Sequence, residues 1–400
     1  MITLEQVHEL ARLRIHEFPV TTLFLSLDAG RDARKTEIQL KDLIKKQRSE
    51  LEGGSLGRSQ LRSVEGDFDQ MLRLVQNLDR RGCRGLAVFS SSGAGLWQVH
   101  PLAQPVRDRL VVDTLAHVRP LSHFLNQFKR SVVLLLARDH AVVYVAHLGE
   151  IRRVAEERGD VPQEVRVGSV EERRIERHAE DRLRHFAKDL AEQMVEVLRV
   201  QAAEHLIMGG ASEALAAFEA QAPRALRDRT IAHLALGPEA PSAEVLARAT
   251  EAVVAHERQR GTRMVETAIE EARTGGLGVA GVAATLRAFG RGEVAAIVVS
   301  SRLARPGLAC GRCPGLDLEA RQCPACGGEL MGVPDVVEEL IHRALGQSVE
   351  VIDLDACPAL EVAGGMAALL RYRRPGPAGA VPEAGAVPEA SALPGAEARR

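Results

Sequence analysis

At 400 residues the chain is too long for one ordinary core, since single domains usually run about 100–200 residues. Apolar residues make up 46% and charged residues 26%, a balance that excludes a disordered or fibrous protein. The formal charge of −2 excludes a uniformly basic nucleic-acid binder, so an RNA partner would have to be met by local clusters of Lys and Arg.

Met1 to Arg14 reads as an amphipathic helix, without the charged start, apolar run and small-residue cleavage site of a signal peptide. No stretch approaches the roughly 18 consecutive apolar residues of a membrane span, so no membrane partner and a cytoplasmic location are expected. Thr22 to Leu27 is a short run of strand formers, followed by a basic helix from about Asp32 to Glu52. Gly53, Gly54 and Gly57 interrupt it before a second helix, Gln60 to Asp79, whose Leu61, Val64, Phe68, Met71, Leu72 and Val75 recur at helical spacing. The pair predicts a helical hairpin with a glycine-rich tip. Gly85 to Phe89 and Gly95 to Val99 predict two strands about a Ser-Ser-Gly-Ala turn, with a short helix at Pro120 to Phe128.

A second cycle starts at Val132. Val132 to Ala137 and Ala141 to His147 flank Arg138-Asp139-His140 as a hairpin, with Ile151 to Ala155 a third strand. After a loop from Glu157 to Ser169 come a long charged helix, Val170 to Leu198, a strand at Glu204 to Met208 and another at Ile231 to Leu236 set among helices. The helix after Pro241 runs towards Thr274. The third cycle has a Gly-rich passage, Gly275 to Gly281, a helix ending at Gly290 and the β-branched run Val294 to Ser300. Beyond the cysteines follow a helix, Pro334 to Leu345, a strand, Ser348 to Leu354, and a turn at Gly364-Gly365 entering a final strand that ends at Tyr372. From Arg374 the chain is Pro, Ala and Gly with a tandem Gly-Ala-Val-Pro-Glu-Ala, too poor in bulky apolar residues to fold. The expected class is α/β, with domains at 1–128, 129–273 and 274–373, a zinc ribbon at 308–330 and a disordered tail at 374–400.

In a reducing compartment, six cysteines are better read as metal ligands or buried thiols than as disulfides. Cys310 and Cys313 form one Cys-x-x-Cys pair, Cys323 and Cys326 another, with nine residues between them and Gly and Pro beside each. Such spacing suits tetrahedral zinc with four thiolates and no position open to water, which is structural and not catalytic. A redox dithiol or an iron–sulfur cluster is the alternative, and the Gly/Pro-rich ribbon favours zinc. Cys83 and Cys357 stand alone and read as small buried hydrophobes.

Catalytic signatures are missing. There is no Gly-x-Ser-x-Gly elbow, and the Ser-Ser-Gly-Ala-Gly at 91–95 reads as a hairpin turn. Gly275-Gly276-Leu277-Gly278 lacks the Lys and Ser/Thr of a phosphate loop and reads as a flexible turn. His178 and His185 lack a His-Glu-x-x-His pattern and read as a solvated face, on a helix whose Glu171 to Arg177 mixes signs.

The three α/β cycles in this order, the ending Gly364-Gly365-Met366-Ala367-Ala368-Leu369-Leu370-Arg371-Tyr372 and the cysteine ribbon in the last cycle together resemble the archaeal and eukaryotic class-1 peptide-chain release factors and Pelota. The resemblance spans roughly residues 1–373. Arg84-Gly85-Leu86-Ala87-Val88-Phe89 and Pro105-Val106-Arg107 look like the bacterial branch, which includes ribosome hibernation factors. It implies a release-factor-like arrangement of domains, with the third domain similar to kink-turn-binding ribosomal proteins.

In that family a Gly-Gly-Gln loop of the middle domain positions water against the ester of peptidyl-tRNA, and this chain has no such tripeptide. The matching place holds Gln163, Arg166, Gly168 and Ser169, with Arg173 and Arg174 just beyond. Without paired glycines the loop lacks the backbone freedom to reach the ester, so the resemblance implies no catalytic residue and no enzyme. The Asn-Ile-Lys-Ser of the first domain's hairpin tip is also missing, and Lys45, Lys46, Arg48 and Arg58 stand there instead, suited to rRNA backbone contact. Implied partners are the 70S ribosome at its aminoacyl site and elongation factor Tu or another translational GTPase, in hibernation under stress. A rescue or release factor with a divergent loop around Gln163, and a zinc-bearing RNA adaptor away from the ribosome, are the alternatives.

Overall fold

The computed structural model describes residues 4–13, 15, 17–27, 32–52, 56–79, 83–159, 170–347 and 349–373, with backbone alone at 4, 125–127 and 170–177. The chain divides into two compact units, Met1–Glu257 and Arg258–Arg400. Among the described residues no helix is long and apolar enough to cross a membrane.

The first unit opens with α1 (Leu4–Arg12) and an antiparallel sheet of β1 (Val20–Ser26), β2 (Gly85–Ser91), β3 (Leu96–Leu102) and β4 (Arg109–Asp113), in the order β3-β2-β1-β4. Between β1 and β2 run α2 (Ala33–Leu51) and α3 (Arg58–Gln76). Asp32 starts α2 by accepting the Lys35 amide at 2.7 Å, which satisfies one of the helix's orphan donors. The helices lay Leu40, Ile44, Val64, Phe68, Met71 and Val75 against Leu23, Leu25, Leu86 and Val88 of the sheet. The hairpin expected from helical spacing is therefore present, with Gly53 to Ser55 of its tip outside the described residues. A 3-10 turn at Ser92–Ala94 joins β2 to β3, ending on Gly95 at φ 70°. This is the hairpin turn expected there.

β4 was not among the expected strands. It is five residues long and pairs antiparallel with β1 from Val20↔Asp113 to Phe24↔Arg109.

After α4 (Arg119–Gln127) the same unit builds a second sheet from β5 (Ser131–Leu136), β6 (His140–His147), β7 (Glu150–Arg158), β8 (His205–Gly210) and β9 (Thr230–Leu234). Its order is β7-β6-β5-β8-β9, with β5, β8 and β9 parallel and β5, β6 and β7 antiparallel. Alternation along β5 splits its side chains between two layers. Val132, Leu134 and Leu136 join Leu190, Met194 and Leu198 of α5 (Val170–Val200) and Phe218 of α6 (Ser212–Gln221). Val133 and Leu135 join Val245, Ala249 and Val253 of α8 (Ser242–Arg273), which follows the single-turn α7 (Arg224–Arg227). A run apolar on both sides is what a central strand covered on both faces requires.

The second unit holds the sheet β10-β16-β11-β15, made of β10 (Gly278–Ala280), β11 (Val294–Ser300), β15 (Glu350–Leu354) and β16 (Met366–Leu370). α9 (Val282–Gly290), α10 (Val336–Gly346) and α11 (Pro358–Val362) accompany it. Val298, Ile352 and Ala367 share a core with Val265 and Ala268 of α8 and Leu360 of α11. The Gly-Gly of the terminal motif has a backbone reason, since Gly364 and Gly365 sit at φ 83° and 80°, where a Cβ is strained. Part of the passage expected to be only a turn is a strand, because β10 pairs Gly278 with Leu369 and Ala280 with Ala367.

Inserted between β11 and α10 is a separate ribbon of β12 (Gly307–Cys310), β13 (Leu316–Asp317) and β14 (Leu330–Val333), in the order β13-β12-β14.

Candidate functional site

The ribbon brings the four cysteine sulfurs within 4.8 Å of one another. Cys310 and Cys326 Sγ are 3.6 Å apart, Cys313 and Cys323 Sγ 3.4 Å. Four thiolates at about 2.3 Å from one ion lie about 3.8 Å apart along a tetrahedral edge, so the donor set fits a single zinc. Cys310 and Cys313 sit on one knuckle and Cys323 and Cys326 on the other, so these close sulfur contacts run between the knuckles. The Cys310 amide donates to the Gly315 carbonyl at 2.9 Å and the Cys323 amide to Gly328 at 2.8 Å, while the Arg312 and Gly315 amides point at Cys310 and Cys313 Sγ at 3.4 and 3.3 Å. The Arg312 amide, ahead of opposing burial, lowers the Cys310 thiol to about 6, whereas burial pushes Cys313 up to about 12.

Glycine is required beside the sulfurs, since a Cβ on Gly315 would stand 2.4 Å from Cys323 Sγ. Arg343 of α10 ties the ribbon down. Its Nη1 donates to the Cys313 and Gly315 carbonyls at 2.8 and 3.3 Å, and its Nε to Glu339 Oε1 at 2.7 Å. Cys357 is buried and Cys83 half-buried against the first core.

Lys45, Lys46 and Arg48 lie exposed on the last turns of α2 and Arg58 exposed at the start of α3, so the hairpin gathers all four near its tip. They are not equivalent. Arg48 makes a bidentate pair with Glu65 across the hairpin, Nε to Oε1 at 2.9 Å, and lies 5.8 Å from the Phe68 ring. It braces the two helices. Lys46 faces Glu50 at 3.8 Å, a spacing worth little at an exposed site.

Of the middle-domain set, Gln163, Arg166, Gly168 and Ser169 lie outside the described residues, and Arg173 and Arg174 fall on the first turns of α5, where only the backbone is described. His178 and His185 are exposed, as a solvated face requires, and His185 Nδ1 lies 2.7 Å from the Asp181 carbonyl. One cluster had no signal in the sequence. His205 of β8 meets His256 and Glu257 of α8, with His205 Nε2 2.9 Å from Glu257 Oε1. No local motif announces residues brought together from positions so far apart.

A search of curated proteins returns no match. Among solved structures the chain is similar to an archaeal translation termination factor, aRF1, at 15% identity over 93% of this chain and 99% of that one, with a TM-score of 0.26. It is similar to Archaeoglobus fulgidus Pelota at 12% identity over 72% and 80%, TM-score 0.34. It is also similar to archaeal Pelota in a ribosome-bound model with ABCE1, at 14% identity over 93% and 94%, TM-score 0.39. Residues 117–254, about a third of the chain, match the family model for bacterial archaeo-eukaryotic release factor family 10. That segment begins just before α4, contains the whole second sheet and ends within α8. Over that segment the chain is similar to the bacterial archaeo-eukaryotic release factors of family 10.

Proposed function

We propose that this chain binds the 70S ribosome at a vacant aminoacyl site and does not hydrolyse peptidyl-tRNA, acting in hibernation or protection under stress. The observation that carries the reading is the release-factor family match over residues 117–254 in a chain without Gly-Gly-Gln. An occupant needs the shape and charge of a release factor but not its hydrolytic loop. Lys45, Lys46 and Arg58 are exposed at the hairpin tip, where cations would meet rRNA phosphates without reading sequence. The same reading resembles that for the hibernation factor Balon and makes elongation factor Tu the proposed protein partner. Division into domains at 128, 273 and 373 belongs to it too.

The ribbon is proposed to hold a structural zinc. When bound, the metal supplies a closed tetrahedral crosslink between the two knuckles. Cys310, Cys313, Cys323 and Cys326 would hold it, and Arg343 fixes the knuckle carbonyls of the first pair.

The test is sedimentation of stationary-phase lysate from cells making the tagged chain. Co-migration with 70S particles is expected, reduced several-fold by Lys45→Glu with Lys46→Glu. A chain confined to the top of the gradient would remove the proposal. Release of labelled peptide from stalled ribosomes, lost on Gln163→Ala, would instead favour a release factor with a divergent loop.

A further inference from the structure

A polar cluster distinct from the ribbon lies at the start of β8. His205 opens that strand and is 8% exposed, while Glu257, on α8, is 6% exposed and its neighbour His256 is half-buried. One ligand atom from each of the three lies within 4.8 Å of the others. The imidazoles of His205 and His256 meet edge to face with centroids 5.1 Å apart. His205 Nε2 stands 2.9 Å from Glu257 Oε1, and the other carboxylate oxygen, Oε2, faces Lys129 Nζ at 3.7 Å. That ammonium is held more closely by Glu204, at 2.8 Å. One oxygen of Glu257 thus faces Lys129 and the other faces His205.

His205 and His256 also line an open cavity whose wall includes Glu204, Asp228 and Arg229. Two imidazoles and a carboxylate are a donor set that borderline divalent ions prefer, and three protein ligands leave a coordination position for water or substrate. Outer partners commonly support such a ligand, and here the Lys129 ammonium stands 3.7 Å from the Glu257 carboxylate as a long ion pair. The charges of Lys129, Glu204 and Glu257 sum to −1 with neutral imidazoles, and Arg199, Asp228 and Arg229 of the cavity wall bring the total to zero, so the case for a cation rests on the donor set and its geometry.

We infer that His205, His256 and Glu257 bind a divalent transition-metal ion of the zinc class, with the remaining position on the cavity side. The site is independent of the proposed ribbon zinc and of ribosome binding.

The test uses the full chain, stripped with chelator and titrated with Zn²⁺ alone, with bound metal counted by mass spectrometry. In a Cys313→Ser, Cys326→Ser background one equivalent is expected to remain, with Co²⁺ giving ligand-field bands but no thiolate charge-transfer band. His256→Gln, at a half-buried position that threatens folding least, is expected to remove that equivalent or weaken binding at least 100-fold, with circular dichroism unchanged. Glu257→Gln should do the same. An unchanged metal count on His256→Gln, or no metal above background in the cysteine variant, would overturn the assignment. In the second case the cluster is a hydrogen-bonded pair of His205 and Glu257 without a metal. Loss of metal from the ribbon alone leaves the difference between wild type and His256→Gln intact, so the two sites fail separately.

Discussion

Replacing Cys310 and Cys323 together with serine is expected to abolish zinc at the ribbon and unfold residues 307–333 while the sheet of β11, β15 and β16 persists. Apart from the Arg343 bonds to the Cys313 and Gly315 carbonyls, the ribbon has little else to hold it. Its strands are two to four residues long, and Ala309, Leu316 and the cysteines Cys310 and Cys323 are its buried apolar side chains, with Met331 61% exposed. Burying two small apolar side chains contributes at most a few kcal/mol, whereas structural zinc in small domains contributes about 10–16 kcal/mol at neutral pH. With the proposed zinc at these cysteines, metal binding and ribbon folding are one process. The core of Val298, Ile352, Leu354 and Ala367 contains none of the ligands, so the damage stays local. Limited proteolysis read by mass spectrometry checks this, with new cuts expected between Leu308 and Val333 and none in β11 or β15. Gly315→Ala should reproduce the defect in weaker form, because its Cβ would meet Cys323 Sγ. Retention of stoichiometric ribbon zinc, or a protease-resistant ribbon in the double variant, would contradict the assignment.

The second large effect is expected at Asp67. This carboxylate is fully buried on α3 and accepts three bonds of 2.7 Å, from Thr21 Oγ1 of β1, Ser90 Oγ of β2 and the Ser92 amide of the 3-10 turn. One side chain thus pins the hairpin helix to two strands and a turn. Asp67→Ala leaves two buried hydroxyls and the half-buried Ser92 amide without their acceptor, each buried donor costing about 1–3 kcal/mol. After relaxation a loss of about 3–5 kcal/mol is expected, which is a large share of a typical domain's stability. Asp67→Asn keeps one acceptor oxygen but turns an N–H₂ towards donors, and should fall between the two. Urea unfolding measures the series, and an alanine variant within about 1 kcal/mol of wild type would show that the buried network contributes little. A loosened α3 would also displace Arg58, so under the proposed function ribosome affinity should fall with stability.

Much of this fold could be read from periodicity. Val294 to Ser300 is apolar on both sides and bounded by a glycine turn and the cysteine segment, and β11 spans those residues. The cysteine quartet was legible because two tight turns impose a fixed spacing on four ligands. β4 escaped notice because Arg109–Asp113 is a brief run whose identity as a strand comes from its pairing with β1. α11 is a five-residue helix, too short for a helical period. Arg48 read as one of four equal cations, yet Glu65 from the opposite helix engages it, and charge patterning along one helix carries no information about the other. Asp67 and the His205, His256 and Glu257 cluster were hidden for the same reason. Their partners lie tens of residues away, and only packing brings them together.

A density map of 70S ribosomes from stationary-phase cells, mixed with the purified full chain, tests ribosome occupation most directly. The expected result is density for the chain in the aminoacyl site, with the α2–α3 tip at the decoding centre and the ester of any peptidyl-tRNA intact. Absence of the chain from the particles, or its density elsewhere with the aminoacyl site free, would contradict it.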